Sequence, residues 1–550
     1  MNKILIVNLK RFGDIYQSAH LINSLAKNHP GTEIHMLVYK DFKKAARSLT
    51  NVTSVLTINK KKIESFYKNE LYSNGLAINE LNETMLSLCK EEWTDVINYS
   101  NDKASTFIST YIANETDSKI HGVYFNSTNS VSYSNNWACF LNEVLSVKDF
   151  SPLSYNEVFH RILNLRSIDH GDKIKSNSQH NETAKQNFLK LKETLNSENP
   201  SKVKIVGIQL LTSQEDKNIP FQTITDFIRY AKASNEICPI LLVAPSEKEK
   251  AFANRINAEF DNTLVSVECD LIALPSVVAN LDAIVTPDTL IKHVSDLLST
   301  PVIEVSLGPS PTFKQGSNNL NSLILREKKS NIGEAISAKD IYQSTLLLLN
   351  KISSEDFDLS NNTQCYFNDQ DEFGNYIVPL NKTFDFNEAT RLMSRAYLSE
   401  LEKNNDKEKI FKNLKNSFDQ TQLNLWLERE KVEVSECTKL LLRALRSLIR
   451  TQENLKNAPQ FVNDLDGLLG FTSSNSLSGM TVLYFRGIID SLENDNTEEN
   501  LKGIERAVYQ LKNDLQTSLH IIRDFEKFYR ESKGADITKR LQKNLGGKNV

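Results

Sequence analysis

Short apolar runs alternate with amphipathic segments along roughly the first 350 residues. Each run is too short for a helix and is followed by a polar turn, and apolar residues then recur every three or four positions. This order is typical of parallel strands joined by helices that cover both faces of a sheet. The runs are KILIVNL, TEIHMLVY, VTSVLTIN and WTDVINYS in the first part, and KVKIVGIQLL, CPILLVAP, TLVSVE, AIVTPD and PVIEVSL in the second.

The texture of the sequence changes twice. A polar stretch rich in Ser, Asn and Lys separates the two sets of strands, and it predicts a linker with one helix. Near Phe386 Gly and Pro become rare, and helical spacing predicts a bundle of about five or six helices. The predicted units are 1–165 (a Rossmann-like domain), 166–202 (linker and connecting helix), 203–352 (a second Rossmann-like domain), 353–385 (an irregular connector that could hold short strands in QCYFNDQDEFGNYIVPL) and 386–550 (the helical bundle).

Charge and cysteine usage remove several classes of function. The chain has 65 Lys and Arg against 69 Asp and Glu, so no overall positive field attracts nucleic acid. Six cysteines without a C-x-x-C pair indicate neither a zinc site nor a disulfide framework. The first apolar run is only Ile4 to Val7, which fits a strand and not a signal peptide, and no segment has the roughly 18 apolar residues of a membrane span. We therefore expect a cytoplasmic protein.

The first strand is followed by a Gly-Asp pair, Gly13 and Asp14. This loop has no G-x-G-x-x-G pattern, which disfavours a dinucleotide site. Asp14 has two interpretations. It either caps the first helix, or it projects into the cleft between the domains as a general base.

The first loop of the second domain carries Thr212, Ser213 and Lys217. Two hydroxyl groups and an ammonium group suit a phosphate, although a solvated loop lysine would give the same pattern.

A third loop holds Asp288 at a strand end, Thr289 at a helix start and His293 one turn later. The N–H groups of such a helix start bind anions, and His293 shares a face with Thr289. A threonine cap with a histidine packed against the sheet is the alternative. The helix is predicted to end before Pro301.

Together these loops resemble the heptosyltransferases of glycosyltransferase family 9. The similar segments are ILIVNLKRFGDIYQSAHLINSLAKNHPGTEIHMLV, TSQEDKNIP, VAPSEKEKAFANRI and LIALPSVVANLDAIVTPDTLIKHVSDLLSTPVIEVSLGPSP, and the resemblance covers roughly residues 1 to 350. It implies a GT-B fold of two doubly wound domains, and an inverting reaction in which a sugar moves from a nucleotide sugar, ADP-heptose, to an acceptor.

The resemblance also implies roles for individual residues. Asp14 matches the base that deprotonates the acceptor. Lys217, with Thr212 and Ser213, matches the group that holds the pyrophosphate. Asp288, Thr289, position 290 and His293 match the donor-binding segment, with no metal or other cofactor required.

Three positions depart from the family pattern. Leu290 replaces the usual Gly, Lys292 replaces a small residue or Ser, and Ile219 replaces a Trp. A side chain at position 290 crowds a diphosphate that lies close to the backbone. Two alternatives therefore stay open, a catalytically silent scaffold that acts through its bundle and an enzyme for another nucleotide sugar.

The bundle has no counterpart in the matched family segments, and it could serve acceptor recognition or self-association. Arg443, Arg446 and Arg450 lie opposite a leucine face, which predicts a bundle helix with a solvated basic side, or else a helix on an anionic inner-membrane surface. Aromatic residues such as Tyr484 and Phe525 are predicted to lie in the core. The acceptor, whether a glycan, a lipid-linked sugar or a protein, is not readable from the sequence.

Overall fold

The computed structural model describes most of the chain, and the statements below concern that part. Segments of the predicted linker, 166–172, 176–177 and 196–202, lie outside the described residues, as do 382–384 of the connector and the C-terminal 532–550. The described residues are 2–69, 73–147, 150–165, 173–175, 178–195, 203–328, 336–381, 385–404, 406–492 and 497–531.

The first α/β domain has a parallel five-stranded sheet of order β3-β2-β1-β4-β5. Its central strand is buried on both faces because helices cover each side, as the continuous apolar runs predicted. The strands are β1 Lys3–Val7, β2 Glu33–Tyr39, β3 Ser54–Ile58, β4 Asp95–Asn98 and β5 Lys119–His121, and a small antiparallel pair follows, β6 Val123–Phe125 and β7 Val131–Tyr133. The helices are α1 Phe12–Gln17, α2 Ala19–Asn28, α3 Lys43–Ser48, α4 Lys60–Tyr67, α5 Ser73–Leu88, α6 Lys103–Thr116, α7 Asn136–Phe140 and α8 Tyr155–Ile162.

A connecting helix, α9 Ser178–Leu195, leads to the second α/β domain. Six parallel strands there have the order β10-β9-β8-β11-β12-β13, which is the Rossmann order with its crevice beside the first strand. The strands are β8 Lys204–Gln209, β9 Ile237–Val243, β10 Val265–Glu268, β11 Ala283–Pro287, β12 Val302–Ser306 and β13 Ser322–Glu327. The helices are α10 Phe221–Ser234, α11 Glu247–Ala258, α12 Leu274–Val278, α13 Leu290–Leu298, α14 Thr312–Gln315 and α15 Ala338–Leu348.

The segment predicted as an irregular connector extends this second sheet. β14 Thr363–Gln370 pairs antiparallel with β13, and β15 Asn375–Pro379 pairs with β14. The first of these strands is hard to recognise in the sequence because it is rich in polar residues. Several of these polar side chains are buried and hydrogen-bonded. Asn368, for example, donates hydrogen bonds to the backbone oxygens of Ser317 and Asn319. The hairpin therefore packs as part of the second α/β domain.

The predicted helical bundle is present and contains six α-helices within the described residues. Leu441 and Leu448 are buried in it while Arg443, Arg446 and Arg450 face solvent, as expected for a bundle helix with a solvated basic side. In the described part of the chain, no helix is both long and apolar enough to cross a bilayer. The helices are α16 Phe386–Leu401, α17 Lys407–Ser417, α18 Gln420–Glu453, α19 Ala458–Leu469, α20 Leu477–Asp490 and α21 Thr497–Glu531.

One hydrophobic cluster runs through both α/β domains and the inner half of the bundle. The outer half of the bundle has its own cluster, which includes Leu441, Phe485 and Leu511. Apolar burial is the main driving force of packing, so the inner bundle is part of the same folded body as the two sheets.

A buried guanidinium on α16 connects three parts of this body. Arg395 Nη2 donates to Glu157 Oε1 of α8 at 2.6 Å, and its Nε donates to Asp371 Oδ2 of the β14-β15 turn at 2.6 Å. Its Nη1 donates to the backbone oxygen of Pro152 at 2.9 Å. The side chains of Arg395 and Asp371 have no exposed area. The bundle thus ties the first domain to the hairpin of the second.

A second contact joins the bundle to the first domain. Arg486 of α20 pairs with Glu143 at 2.8 Å. A Cβ at Gly487 would lie 2.3 Å from Glu143 Cγ and 2.8 Å from Cys139 Sγ, so only Gly lets α20 approach this closely.

Replacing Arg395 with Ala should destabilise the protein by about 3 to 5 kcal/mol, because two buried carboxylates lose their cation. Arg530→Ala is the matched control. Arg530 pairs with Glu526 on α21 but is exposed, so its loss should cost less than about 1 kcal/mol. Denaturant unfolding of the three proteins measures the difference, and equal effects of the two substitutions would contradict this role for Arg395.

Candidate functional site

The three predicted loops all lie at the carboxyl ends of parallel strands. Asp14 lies after β1, the loop with Thr212 and Lys217 follows β8, and Asp288 directly follows β11. β8 and β11 are neighbours in the second sheet, so their loops meet at its crevice.

Asp288 is the centre of a charge cluster. Lys217 Nζ donates to Asp288 Oδ2 at 2.9 Å, and Lys292 Nζ donates to Oδ1 at 2.6 Å. Lys292 has no exposed area, and its ammonium group also donates to the backbone oxygen of Gln315 and lies 4.0 Å from Glu304 Oε2. The side chain of Lys217 is only 12% exposed, so the solvated-lysine interpretation is wrong.

The protonation states in this cluster follow from burial and from Lys292. Burial would raise the pKa of Asp288, but the charge and hydrogen bond of Lys292 and the charge of Lys217 together outweigh burial and hold that pKa well below the usual range. Burial raises the pKa of Glu304 to about 7. Burial and the Lys292 charge lower the pKa of His293 to about 3, so the imidazole is neutral. Two ammonium groups therefore face the ionised Asp288, and burial also raises the pKa of the neighbouring Asp296 to about 6.

The start of α13 has backbone N–H groups that Thr289 does not cap through its side chain. Thr289 occupies the N-cap position, but its hydroxyl donates to Gln209 Oε1, as does the hydroxyl of Thr286. N–H groups at a helix start attract anions through their own dipoles and the helix dipole. This helix start and Lys217 both adjoin Asp288.

The other two predicted phosphate ligands, Thr212 and Ser213, differ in their surroundings. The Thr212 hydroxyl is engaged within its own loop, where it donates to the Gln214 carbonyl and accepts from the Gln214 N–H. Ser213 is exposed at the surface. Within this loop Lys217 makes the strongest link to the Asp288 cluster.

Asp14 is the third residue of α1 and not its N-cap. Arg11 occupies the N-cap position, and its backbone N–H donates to Asp14 Oδ2 at 3.2 Å. Gln315, at the end of α14 in the second domain, donates from Nε2 to Asp14 Oδ1 at 3.2 Å. The predicted base of the first domain is thus hydrogen-bonded to the residue whose backbone oxygen accepts from Lys292.

His293 meets the first domain directly. A Cβ built on Gly13 would lie 2.9 Å from His293 Cδ2, which is closer than carbon atoms normally approach. The imidazole therefore packs on the backbone of the Gly-Asp loop, and it is 8% exposed. This contact places the His293 ring beside the loop that carries Asp14.

Leu290 is half-buried and packs against the main hydrophobic cluster. Sequence reasoning missed Gln315, because a glutamine after a Gly-Pro loop carries no signal without its partner in space. It also treated Lys292 only as a departure from a pattern, whereas its burial beside Asp288 makes it the main charge partner of that residue.

Two pockets open beside Asp14. The smaller, about 370 Å³, is lined by Lys10, Asp14, Tyr99, Tyr155 and Gln315 among others. The larger is open to solvent and has an empty volume of about 1080 Å³. Five cations line the larger pocket, against three carboxylates: Lys10, Arg11, Lys40, Lys60 and Lys61, with Asp14, Asp41 and Glu64.

The described residues form two doubly wound α/β domains, as in a GT-B fold, with an added helical region. The model of glycosyltransferase family 9 (heptosyltransferase) matches residues 86–332. That range contains the Thr212, Lys217 and Asp288 loops and begins after Asp14. The resemblance predicted from the sequence is confirmed for this segment.

Solved structures with similar folds include a family 9 glycosyltransferase from Veillonella parvula, with 14% identity and a TM-score of 0.47 over 64% of this chain and 98% of that one. The E. coli heptosyltransferase WaaC with ADP has 16% identity and a TM-score of 0.45 over 63% and 99%. E. coli ADP-heptose lps heptosyltransferase II has 15% identity and a TM-score of 0.43 over 64% and 99%. No curated protein matches the sequence.

Gly13→Ala should destabilise the contact between the domains by about 1 to 3 kcal/mol, because the added methyl group overlaps the buried His293 ring. Gly467→Ala in α19 is the control, since its Cβ would meet nothing within 4 Å and Ala favours a helix. Thermal unfolding should show a lower Tm for the first variant and an unchanged or higher Tm for the second. A Gly13→Ala protein as stable as wild type would rule out the tight contact.

Proposed function

We propose that this protein is an inverting, metal-independent glycosyltransferase that moves a sugar from a nucleotide-sugar donor to a glycan or protein acceptor. One observation carries the proposal. The hydrogen bond from Gln315 to Asp14, at 3.2 Å, holds the carboxylate of the first domain against the segment of the second domain that contains Asp288 and the start of α13. A base and an anion site on opposite walls of one cleft are what sugar transfer from a diphosphate requires.

The donor diphosphate would bind at Lys217 and the N–H groups at the start of α13. The ammonium group of Lys217 and the dipole of α13 favour such an anion. The same groups would stabilise the negative charge that develops on the departing diphosphate, so this proposal assigns no role to a metal. We take ADP-heptose as the donor because residues 86–332 match the heptosyltransferase family.

The reaction is a single displacement. Asp14 accepts the proton of the acceptor hydroxyl, and the oxygen attacks the anomeric carbon from the face opposite the diphosphate. The bond between the anomeric carbon and the diphosphate oxygen breaks as the new bond forms, so the configuration inverts. The nucleoside diphosphate leaves with the electron pair, and the proton remains on Asp14 until solvent takes it.

The acceptor would enter through the larger pocket beside Asp14. Its lining has five cations against three carboxylates, so it suits an acceptor that carries negative charge near the reacting hydroxyl. Lys61 pairs with Asp41 at 2.8 Å. Of the other lining cations, Lys10, Arg11 and Lys40 are closer to Asp14 along the chain than Lys60 is.

A catalytically silent scaffold is the second candidate. The observation that favours it is the internal neutralisation of Asp288 by Lys292, because a carboxylate with both oxygens engaged is less available to sugar hydroxyl groups. An enzyme for another nucleotide sugar is the third, since the fold does not fix the base or the sugar.

Asp14→Asn should lower kcat for transfer by about 100-fold or more, because an amide cannot take the acceptor proton. Asn keeps one oxygen, which can accept from the Arg11 N–H, and its amino group can donate to the Gln315 amide oxygen after that amide flips, so the fold and nucleotide binding should be retained. The assay follows release of ADP from ADP-heptose with a mixture of anionic glycan acceptors. Wild-type kcat in this variant would show that Asp14 is not the base.

Lys217→Ala should abolish most of the thermal stabilisation by the preferred nucleoside diphosphate, tested with ADP, UDP and GDP. Asp288 still has Lys292 as a partner, so the variant should fold. Lys248→Ala is the matched control, because Lys248 pairs with Glu215 of the same loop but is 68% exposed.

The pattern of results separates the candidates. Stabilisation by ADP alone supports a heptosyl donor, and stabilisation by UDP or GDP supports a different donor. The absence of stabilisation of the wild-type protein by any of the three supports the silent scaffold. A loss in Lys248→Ala as large as in Lys217→Ala would contradict the assigned diphosphate site.

A further inference from the structure

A pocket lies at the junction of the first domain and the bundle, away from Asp14. We call it the junction pocket. Its walls come from α7 and from α16, α20 and α21, and its cavity volume of about 200 Å³ leaves room for a small organic group. Its lining includes Trp137, Phe140, Tyr397, Tyr484, Glu402 and Asp514.

The lining combines aromatic rings with negative charge. Trp137 and Phe140 pack edge to face with centroids 5.6 Å apart, and Tyr397 and Tyr484 line the bundle side. Glu402 and Asp514 supply two carboxylates, while no Lys, Arg or His lines the pocket. Aromatic faces attract cations, and carboxylates add to that attraction.

Asp514 is held inside the protein without a cation. Its side chain is bonded to Gln510, whose Nε2 donates to Oδ1 at 2.9 Å, and to the Tyr397 hydroxyl. The residue is only 4% exposed, and among the described residues its interactions are hydrogen bonds from Gln510 and Tyr397, with no ion pair to Lys, Arg or His. A buried carboxylate with hydrogen bonds but no counter-ion retains a large unbalanced charge.

The electrostatics agree with this geometry. Burial raises the pKa of Asp514 to about 6, which is the expected direction when no cation stabilises the charged form. A bound cation would supply the missing charge.

We propose that the junction pocket binds an organic cation, an ammonium or quaternary ammonium group carried on an apolar or aromatic body. The charged head lies near Asp514 and the ring faces of Tyr397 and Tyr484, and the body lies against Trp137 and Phe140. Glu402 is exposed at the pocket and attracts the cation as it enters. The bundle wall lies beyond the matched family segment, so this site does not depend on the proposed sugar transfer.

Calorimetric titration of the full-length protein with benzyltrimethylammonium chloride tests the proposal. Benzyl alcohol and phenylacetate serve as neutral and anionic comparison ligands of similar body. The cation should bind at least about tenfold more tightly than benzyl alcohol, and phenylacetate should bind most weakly. Equal affinities, a preference for the anion or no binding of the cation would overturn the proposal.

Variants locate the binding. Asp514→Asn should weaken binding of the cation by about tenfold while leaving the affinity for benzyl alcohol unchanged, because the amide keeps the shape and loses the charge. Its Tm should not fall, since a buried charge is removed. Glu402→Gln, at an exposed position, should weaken binding of the cation by about two- to threefold and cannot disturb the core.

Glu499→Gln is the control, because Glu499 lies exposed on the same helix as Asp514 but outside the pocket. Its affinity for the cation should equal that of wild type. Wild-type affinity in both Asp514→Asn and Glu402→Gln, or an equal loss in Glu499→Gln, would show that the cation binds elsewhere and would overturn the assignment.

Discussion

The buried guanidinium of Arg395 is the constraint on which the arrangement of the molecule depends. It binds Glu157 of the first α/β domain and Asp371 of the second with the same side chain, both at 2.6 Å. A buried arginine is stable only when carboxylates and carbonyl groups satisfy its donors together, so these three segments are held in one geometry. The helical region is therefore a brace between the two α/β domains, continuous with their shared hydrophobic cluster.

Because the helical region holds the two α/β domains together, it fixes the width of the cleft between them. Gly13 lies against the His293 ring, and Gln315 reaches Asp14, only because α1 and α13 are held this close. Lys292 then completes the site from within. Its ammonium group keeps Asp288 ionised and His293 neutral, and its bond to the Gln315 carbonyl links the charge cluster to the residue that touches Asp14. Lys292 thus gives Asp288 a second internal ion pair, beside the one with Lys217.

Much of the fold could be predicted from the sequence. Continuous apolar runs such as ILIV in β1 and PILLV in β9 identify strands buried on both faces, and the left-handed Ser299 ends α13 before Pro301 as expected. The pairing of β14 with β13 could not be predicted because buried Asn368 forms tertiary hydrogen bonds, which leave no periodic signal. Local pattern also located Asp14, Lys217 and Asp288, but the partnership of Lys217 with Asp288 and the role of Gln315 arise from contacts 71 and 301 residues apart in sequence. Such contacts depend on the assembled domains and not on local propensity.

We propose that the cleft between the two α/β domains binds a nucleoside diphosphate through Lys217 and the start of α13. Calorimetric titration of the wild-type protein with ADP, with UDP and GDP as comparison ligands, measures this most directly. We expect one-to-one binding of one of the three, with an affinity that falls as salt concentration rises because the contacts are ionic. The absence of binding by all three at millimolar concentration would contradict the account and would assign the Asp288 cluster a purely structural role.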